Sequence, residues 1–261
     1  MLKQETFGQG RPLVFIHGWG ANSALWRPWI VQYFPDYQIT LIDLPGHGES
    51  EQLSASQDDN RIQAWLDALL AVLPAKASVV GWSLGGLLAQ SIALQHPQRV
   101  DKLILLASSP CFVQKVDWLP ALEVSLFARY LQEVTQQTLG LLRSFFALQT
   151  IGSTQPKQLL KQLLPLISQV LLGHVQSLKE GLAILAHSDL REQLVNLEQD
   201  TLWLFAEQDA IVPVALIEYI TQLQPNANVM RIDNSGHLPF LAQPAETAKA
   251  IHQFLEGALG G

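Results

Sequence analysis

Cysteine is almost absent. The chain holds one, Cys111, so an intramolecular disulfide is impossible and nothing asks for an oxidising compartment. No run of about 18 apolar residues is present, the length a membrane-spanning helix needs. The first ten residues, MLKQETFGQG, lack the apolar centre of a secretory signal. The expectation is a cytoplasmic protein with no membrane partner. Basic residues are also scarce, 16 Lys and Arg against 23 Asp and Glu, and the formal charge of -7 gives nucleic acid no electrostatic footprint. Internal repeats and low-complexity tracts are missing too.

What is there is apolar residue, 48% of a 261-residue chain, enough for one large domain with a sizeable core. Short apolar runs at residues 12–16, 39–43, 77–81, 102–107, 201–206 and 228–232 read as buried strands. Helix-like stretches at 61–73, 84–96, 213–223 and 245–259 separate them. Such alternation predicts an α/β fold with a mostly parallel central sheet flanked by helices. It breaks at about 113–187, where leucine-rich segments predict helices only. Residues 1–112 and 188–261 are therefore expected to form the core, and 113–187 an inserted helical cap rather than an independent domain.

Gly81-Trp82-Ser83-Leu84-Gly85 fits G-x-S-x-G and stands where the strand ASVV gives way to the helix LLAQSIAL. A serine at such an elbow needs unusual dihedrals, and small residues two before and two after it let strand and helix approach. Gly81 and Gly85 meet that need, and Gly86 adds room. The plainer alternative is a glycine-rich turn with an incidental serine. Ser83 needs a base to become nucleophilic, and in folds of this type the acid and then the histidine follow the serine in the chain. His237 in NSGHLPF, after the last strand, is the candidate base. Asp209 in AEQDAIVP, after strand TLWLFA, is the candidate acid that holds the imidazole, with Glu207 its nearest rival. His252, His174, His187 and His96 read as surface or packing residues, and Asp200 and Asp233 as strand-flanking caps.

His17-Gly18-Trp19-Gly20 ends the first long apolar strand. The backbone N–H groups of Trp19 and Leu84 are the candidate oxyanion donors, with the Trp19 indole either a pocket wall or simple packing. His17 reads as a structural hydrogen-bonder, and DLPGHGES at 43–50 as a turn without chemistry.

These residues resemble the α/β-hydrolase superfamily along the whole chain. More narrowly, HGWG, DLPGHGES, GWSLGG, ASSPCF, FFALQTIG, GLAIL and DLR resemble the pimeloyl-[acyl-carrier-protein] methyl ester esterases of biotin synthesis. The resemblance implies a Ser83, Asp209 and His237 triad and a substrate site formed by Trp19, Ser83, Leu84, Phe145, Phe146, Ala147, Leu148, Gln149 and His237. It also implies hydrolysis of a methyl ester on an acyl-carrier-protein-linked pimeloyl chain, with no metal or organic cofactor, in a monomer. Carrier proteins are acidic, and between Glu133 and Glu180 the only charged residues besides His174 are Arg143, Lys157, Lys161 and Lys179. Lys157 and Lys161 match two of the family's basic cap positions, while Gly140 and Ser144 replace two others, with Arg143 next to the second. A solvated helix face is the plainer reading of these cations. Two alternatives share the catalytic residues: a broad carboxylesterase without a carrier partner, and a hydrolase-fold ligand receptor.

Overall fold

A computed structural model describes residues 1–54, 61–170 and 175–258. The strands are β1 (Gln4–Phe7), β2 (Arg11–Ile16), β3 (Tyr37–Ile42), β4 (Ala77–Trp82), β5 (Val100–Leu106), β6 (Asp200–Ala206) and β7 (Asn228–Ile232). They form one sheet in the order β1-β3-β2-β4-β5-β6-β7, parallel except for β1, which runs antiparallel to β3. β4 is buried along its whole length, as a central strand covered on both faces must be.

Around the sheet lie α1 (Arg27–Tyr33), α2 (Arg61–Val72) and α3 (Leu84–Gln95). Between β5 and β6 come α4 (Val124–Gln136), α5 (Thr138–Thr150), α6 (Pro156–Val170) and α7 (Val175–His187). The chain ends with α8 (Leu216–Leu223), α9 (Pro239–Ala242) and α10 (Pro244–Leu255). The helix expected from residue 213 begins at Leu216 instead. Asp209 Oδ1 accepts the N–H groups of Ile211 and Val212 at 2.8 and 3.0 Å, so a turn comes first. The helix expected to run to 259 stops at Leu255, and residue 259 lies outside the described residues.

Across 113–187 the expected helices start only at Val124. Residues 113–122 instead form a loop closed by bridges from Val113 to Leu122 and from Lys115 to Trp118. Pro120 in this stretch lacks a backbone donor and disfavours helix in the residue before it. The loop is tied to the chain that leaves the insertion: Lys115 and Arg191 both bond Asp189, at 2.6 and 2.8 Å, and Arg191 reaches Asp117 at 3.0 Å. The Arg191 guanidinium beside Asp189 holds that carboxyl well below the usual range. Residues 171–174 lie outside the described residues, and His174 with them.

The sheet and α3 approach at the elbow. A Cβ on Gly81 would lie 2.5 Å from both Gly85 O and Gly86 Cα, and one on Gly86 would lie 2.5 Å from Ser108 Cβ. Gly140, on exposed α5 surface, meets nothing nearer than 3.9 Å. Gly81→Ala should therefore destabilise by about 2 kcal/mol through overpacking, whereas Gly140→Ala should stabilise by ~0.5–1 kcal/mol through helix propensity. Urea-unfolding midpoints of the two variants, moving in opposite directions, check this.

Candidate active site

Ser83 is the residue at the elbow, φ 55° and ψ −119°, a left-handed conformation that is costly for a side-chain-bearing residue. Its neighbours over-determine it. Its N–H donates to Leu106 O at 3.0 Å, and its carbonyl accepts from Gly86 N at 2.9 Å and from the Ser108 hydroxyl at 2.8 Å. The bent backbone presents Oγ at the carboxyl end of β4, directly before the first turn of α3.

There His237 Nε2 lies 2.9 Å from Ser83 Oγ, and His237 Nδ1 lies 2.7 Å from Asp209 Oδ2. The imidazole and the carboxylate are fully buried. The turn that delays α8 also occupies the other carboxylate oxygen, so Asp209 is fixed at both oxygens. Glu207 does not compete: it accepts from Asn234 N at 2.9 Å and supports the turn that leads into the histidine loop. Asp233 pairs with Arg231, and Asp200 faces Lys102.

His17, His252 and His187 have structural partners. His17 is buried, accepts Leu44 N–H at Nε2 (2.9 Å) and donates from Nδ1 to Gly18 O (2.8 Å), a tautomer set by the backbone donor. Burial holds its pKa below the ordinary value, with Asp43 pulling the other way. His252 stacks on Phe34 and bonds Tyr33 O, and His187 bonds Ala183 O. His96 ends α3. Asp43 accepts from Ser23 N (2.7 Å) and Glu49 N (2.9 Å), making 43–50 a braced support beside the His17 loop.

That loop passes against the elbow, since a Cβ on Gly18 would lie 3.1 Å from Ser83 Cβ. Trp19 is the next residue of that loop. Leu84 opens α3, so its N–H has no intrahelical acceptor. The Trp19 indole is packed and buried: it donates to Leu178 O at 2.7 Å and packs edge-on against Phe145, and it is not among the residues around the pocket over Ser83.

Over Ser83 lies a small, closely packed apolar pocket. Phe112, Leu122, Phe127, Tyr130, Phe145 and Leu182 form most of its walls. Within the stretch 145–149, Phe145 faces this cavity, Phe146 is buried near Gly20, and Ala147 and Leu148 are half-buried. Gln149 is buried, and its carbonyl accepts His237 N–H at 3.1 Å. Arg143, Lys157 and Lys161 are exposed on α5 and α6, as are Gly140 and Ser144.

Sequence reasoning missed Trp82, the variable position of the motif. Its indole N–H donates to the His237 carbonyl at 2.8 Å, and its ring packs against His237, Trp26 and Phe240. The residue before Ser83 thus holds the backbone of His237. Only a large aromatic at that position hinted at it.

An α/β-hydrolase fold model matches residues 11–244. Among solved structures, an esterase from Exiguobacterium antarcticum superposes with a TM-score of 0.88 at 21% identity, covering 98% of this chain and 95% of that one. An enol-lactonase from Burkholderia xenovorans LB400 gives 0.84 at 16%, covering 98% and 96%. The chain belongs to the α/β-hydrolase fold family. Among curated proteins, one from Xylella fastidiosa (strain M12), named pimeloyl-[acyl-carrier protein] methyl ester esterase, is 36% identical over 96% of this chain and 97% of its own length. A protein of the same name from Aeromonas hydrophila is 32% identical over 96% of this chain and 98% of its own. Within the fold, this chain belongs with those esterases.

Trp82→Phe keeps an aromatic ring but removes the donor on the His237 carbonyl. It should lower kcat/KM by about tenfold through misplacement of the base, while the melting curve still shows folded protein at the assay temperature. Ester kinetics beside a thermal melt check this.

Proposed function

We propose that this chain is a serine carboxylesterase that hydrolyses the methyl ester of pimeloyl-[acyl-carrier protein], releasing pimeloyl-[acyl-carrier protein] and methanol in biotin biosynthesis. The observation that carries the reading is the buried relay from Ser83 through His237 to Asp209 beneath an apolar cavity, in a chain of that family. Ser83 Oγ attacks the ester carbonyl and His237 Nε2 takes its proton. The N–H groups of Trp19 and Leu84 stabilise the tetrahedral oxyanion. Collapse breaks the bond to methoxide, which takes the proton from His237 and leaves as methanol. A water deprotonated by His237 then attacks the acyl-enzyme, and the proton returns to Ser83 as the acid departs. Asp209 keeps the imidazole in the tautomer with Nε2 free and stabilises its charged form. The cycle closes on these groups without a cofactor.

The apolar walls suit a methylene chain, which needs few polar contacts, and the walls part to admit it. Residues 113–187 act as the cap over a core of 1–112 and 188–261. Phe145 contacts the chain, and Phe146, Ala147, Leu148 and Gln149 complete that side of the site. The Gln149 Oε1 is buried with no hydrogen-bond partner among the described residues. The carrier protein, being acidic, docks on the exposed cations Arg143, Lys157 and Lys161, which steer encounter through surface charge. The working form is a monomer in the cytoplasm. No described helix is long and apolar enough to cross a membrane.

Ser83→Ala should cut ester turnover by about four orders of magnitude with the fold intact. Steady-state assays beside circular dichroism check it, and retention of a third of the activity would remove Ser83 as nucleophile. Exchanging Lys157 and Lys161 together for Glu should impair turnover of methyl pimeloyl-carrier substrate far more than that of a small p-nitrophenyl ester. Equal effects on both substrates, or no preference for the carrier-linked ester in the unaltered protein, would favour the broad carboxylesterase.

A further inference from the structure

Glycine is a poor helix former, so a glycine inside a helix calls for a packing reason. Gly181 stands in the middle of α7 and is buried. A Cβ there would lie 2.8 Å from Trp19 Cδ1, 3.4 Å from Trp19 Nε1 and 3.3 Å from Leu84 Cδ2. Those are the two residues whose backbone N–H groups face the developing oxyanion. One turn earlier on the same helix, the Leu178 carbonyl accepts the Trp19 indole N–H at 2.7 Å. The residue next to Gly181 fixes the helix to the core: Glu180 accepts from Arg61 at 2.6 Å and from the Trp65 indole at 3.4 Å, both on α2.

We propose that α7 is a positioning element of the oxyanion hole, with Gly181 the seat for Trp19 and Leu84 and the Leu178 carbonyl the acceptor that sets the rotation of the Trp19 ring. The proposal rests on the assignment of Trp19 and Leu84 as the oxyanion donors. Its physical basis is the short range over which such donors work. They must sit about 2.7–3.1 Å from the oxygen that carries the charge, so a displaced side chain that pulls its backbone by a few tenths of an ångström carries that residue's backbone N–H out of range. The nucleophile, the base and the apolar cavity stay in place when this happens. Transition-state stabilisation is lost while ground-state binding is retained, which is a fall in kcat without a rise in KM.

The test uses Gly181→Ala in the full chain, a p-nitrophenyl ester and an alkyl trifluoromethyl ketone that forms a tetrahedral adduct with the serine. We expect kcat to fall by about 10- to 100-fold, KM to stay within about twofold, and ketone affinity to fall in step with kcat. The melting temperature should fall modestly, because overpacking against the Trp19 ring outweighs the gain in helix propensity, so kcat and ketone affinity are read per folded molecule. Trp19→Phe supplies a second variant that loses the bond to Leu178 while keeping a ring, and it should show the same split to a smaller degree. In the double variant the smaller ring relieves the clash, so the two effects should be less than additive. If both single variants keep kcat and ketone affinity within twofold of the unaltered protein, the positioning role is overturned, and Ser83-dependent ester turnover would survive that result. A lower melting temperature with no change in ketone affinity per folded molecule would overturn it as well, assigning Gly181 to packing alone.

Discussion

The structure turns on the backbone of one residue, Ser83, held in the left-handed region at the junction of β4 and α3. Such a conformation costs on the order of 1–3 kcal/mol and persists only where its surroundings over-determine it. Here the glycines at 81, 85 and 86 bring strand and helix together, and Ser108 and Leu106 hold the serine carbonyl and N–H. Relaxing that residue would move its hydroxyl away from the imidazole and turn the start of α3 away from the reacting carbonyl. The other contacts at the site are built around this fixed point.

His237 reaches Ser83 from the far end of the chain, and both of its backbone groups are gripped. The elbow holds the His237 carbonyl through Trp82, and the inserted α5 holds its N–H through Gln149. The turn after α5 is wedged against the same loops. A Cβ on Gly236 would lie 3.0 Å from Gln149 O, and Gly152 sits against the Gln208 backbone next to Asp209. His237 and Asp209 share a buried, hydrogen-bonded contact in which neither side chain is exposed. An arrangement of this kind is worth having only when every member is satisfied. The helices between β5 and β6 therefore brace the site as well as cover it. α5 supports the base, and α7 contacts both residues assigned to the oxyanion hole.

Strands β2 to β7 were legible because each is an apolar run bounded by turn residues, and their alternation with helices fixes a parallel sheet. β1 was not, since QETF is short, mixed in polarity and lies at an edge, where one face and one row of backbone groups meet solvent. α1, RPWIVQY, carries its aromatics at spacings that a strand could share. Ser83, His237 and Asp209, which the structure brings within hydrogen-bond distance, could be picked from local sequence because each sits in a loop of known place in the chain order. The cavity walls could not be. Phe112, Phe127 and Tyr130 are apolar residues on loops and amphipathic helices whose rotation and depth are set by tertiary packing alone. Trp82 was hidden for a related reason: its partner is a carbonyl 155 residues away.

Covalent trapping with a p-nitrophenyl alkylphosphonate, read by intact-protein and peptide mass spectrometry, tests the relay most directly. One adduct should form, on the peptide that contains Ser83, and His237→Ala should slow its formation by about a hundredfold or more. An adduct on another residue, or labelling of Ser83 at an unchanged rate without the imidazole, would contradict the account.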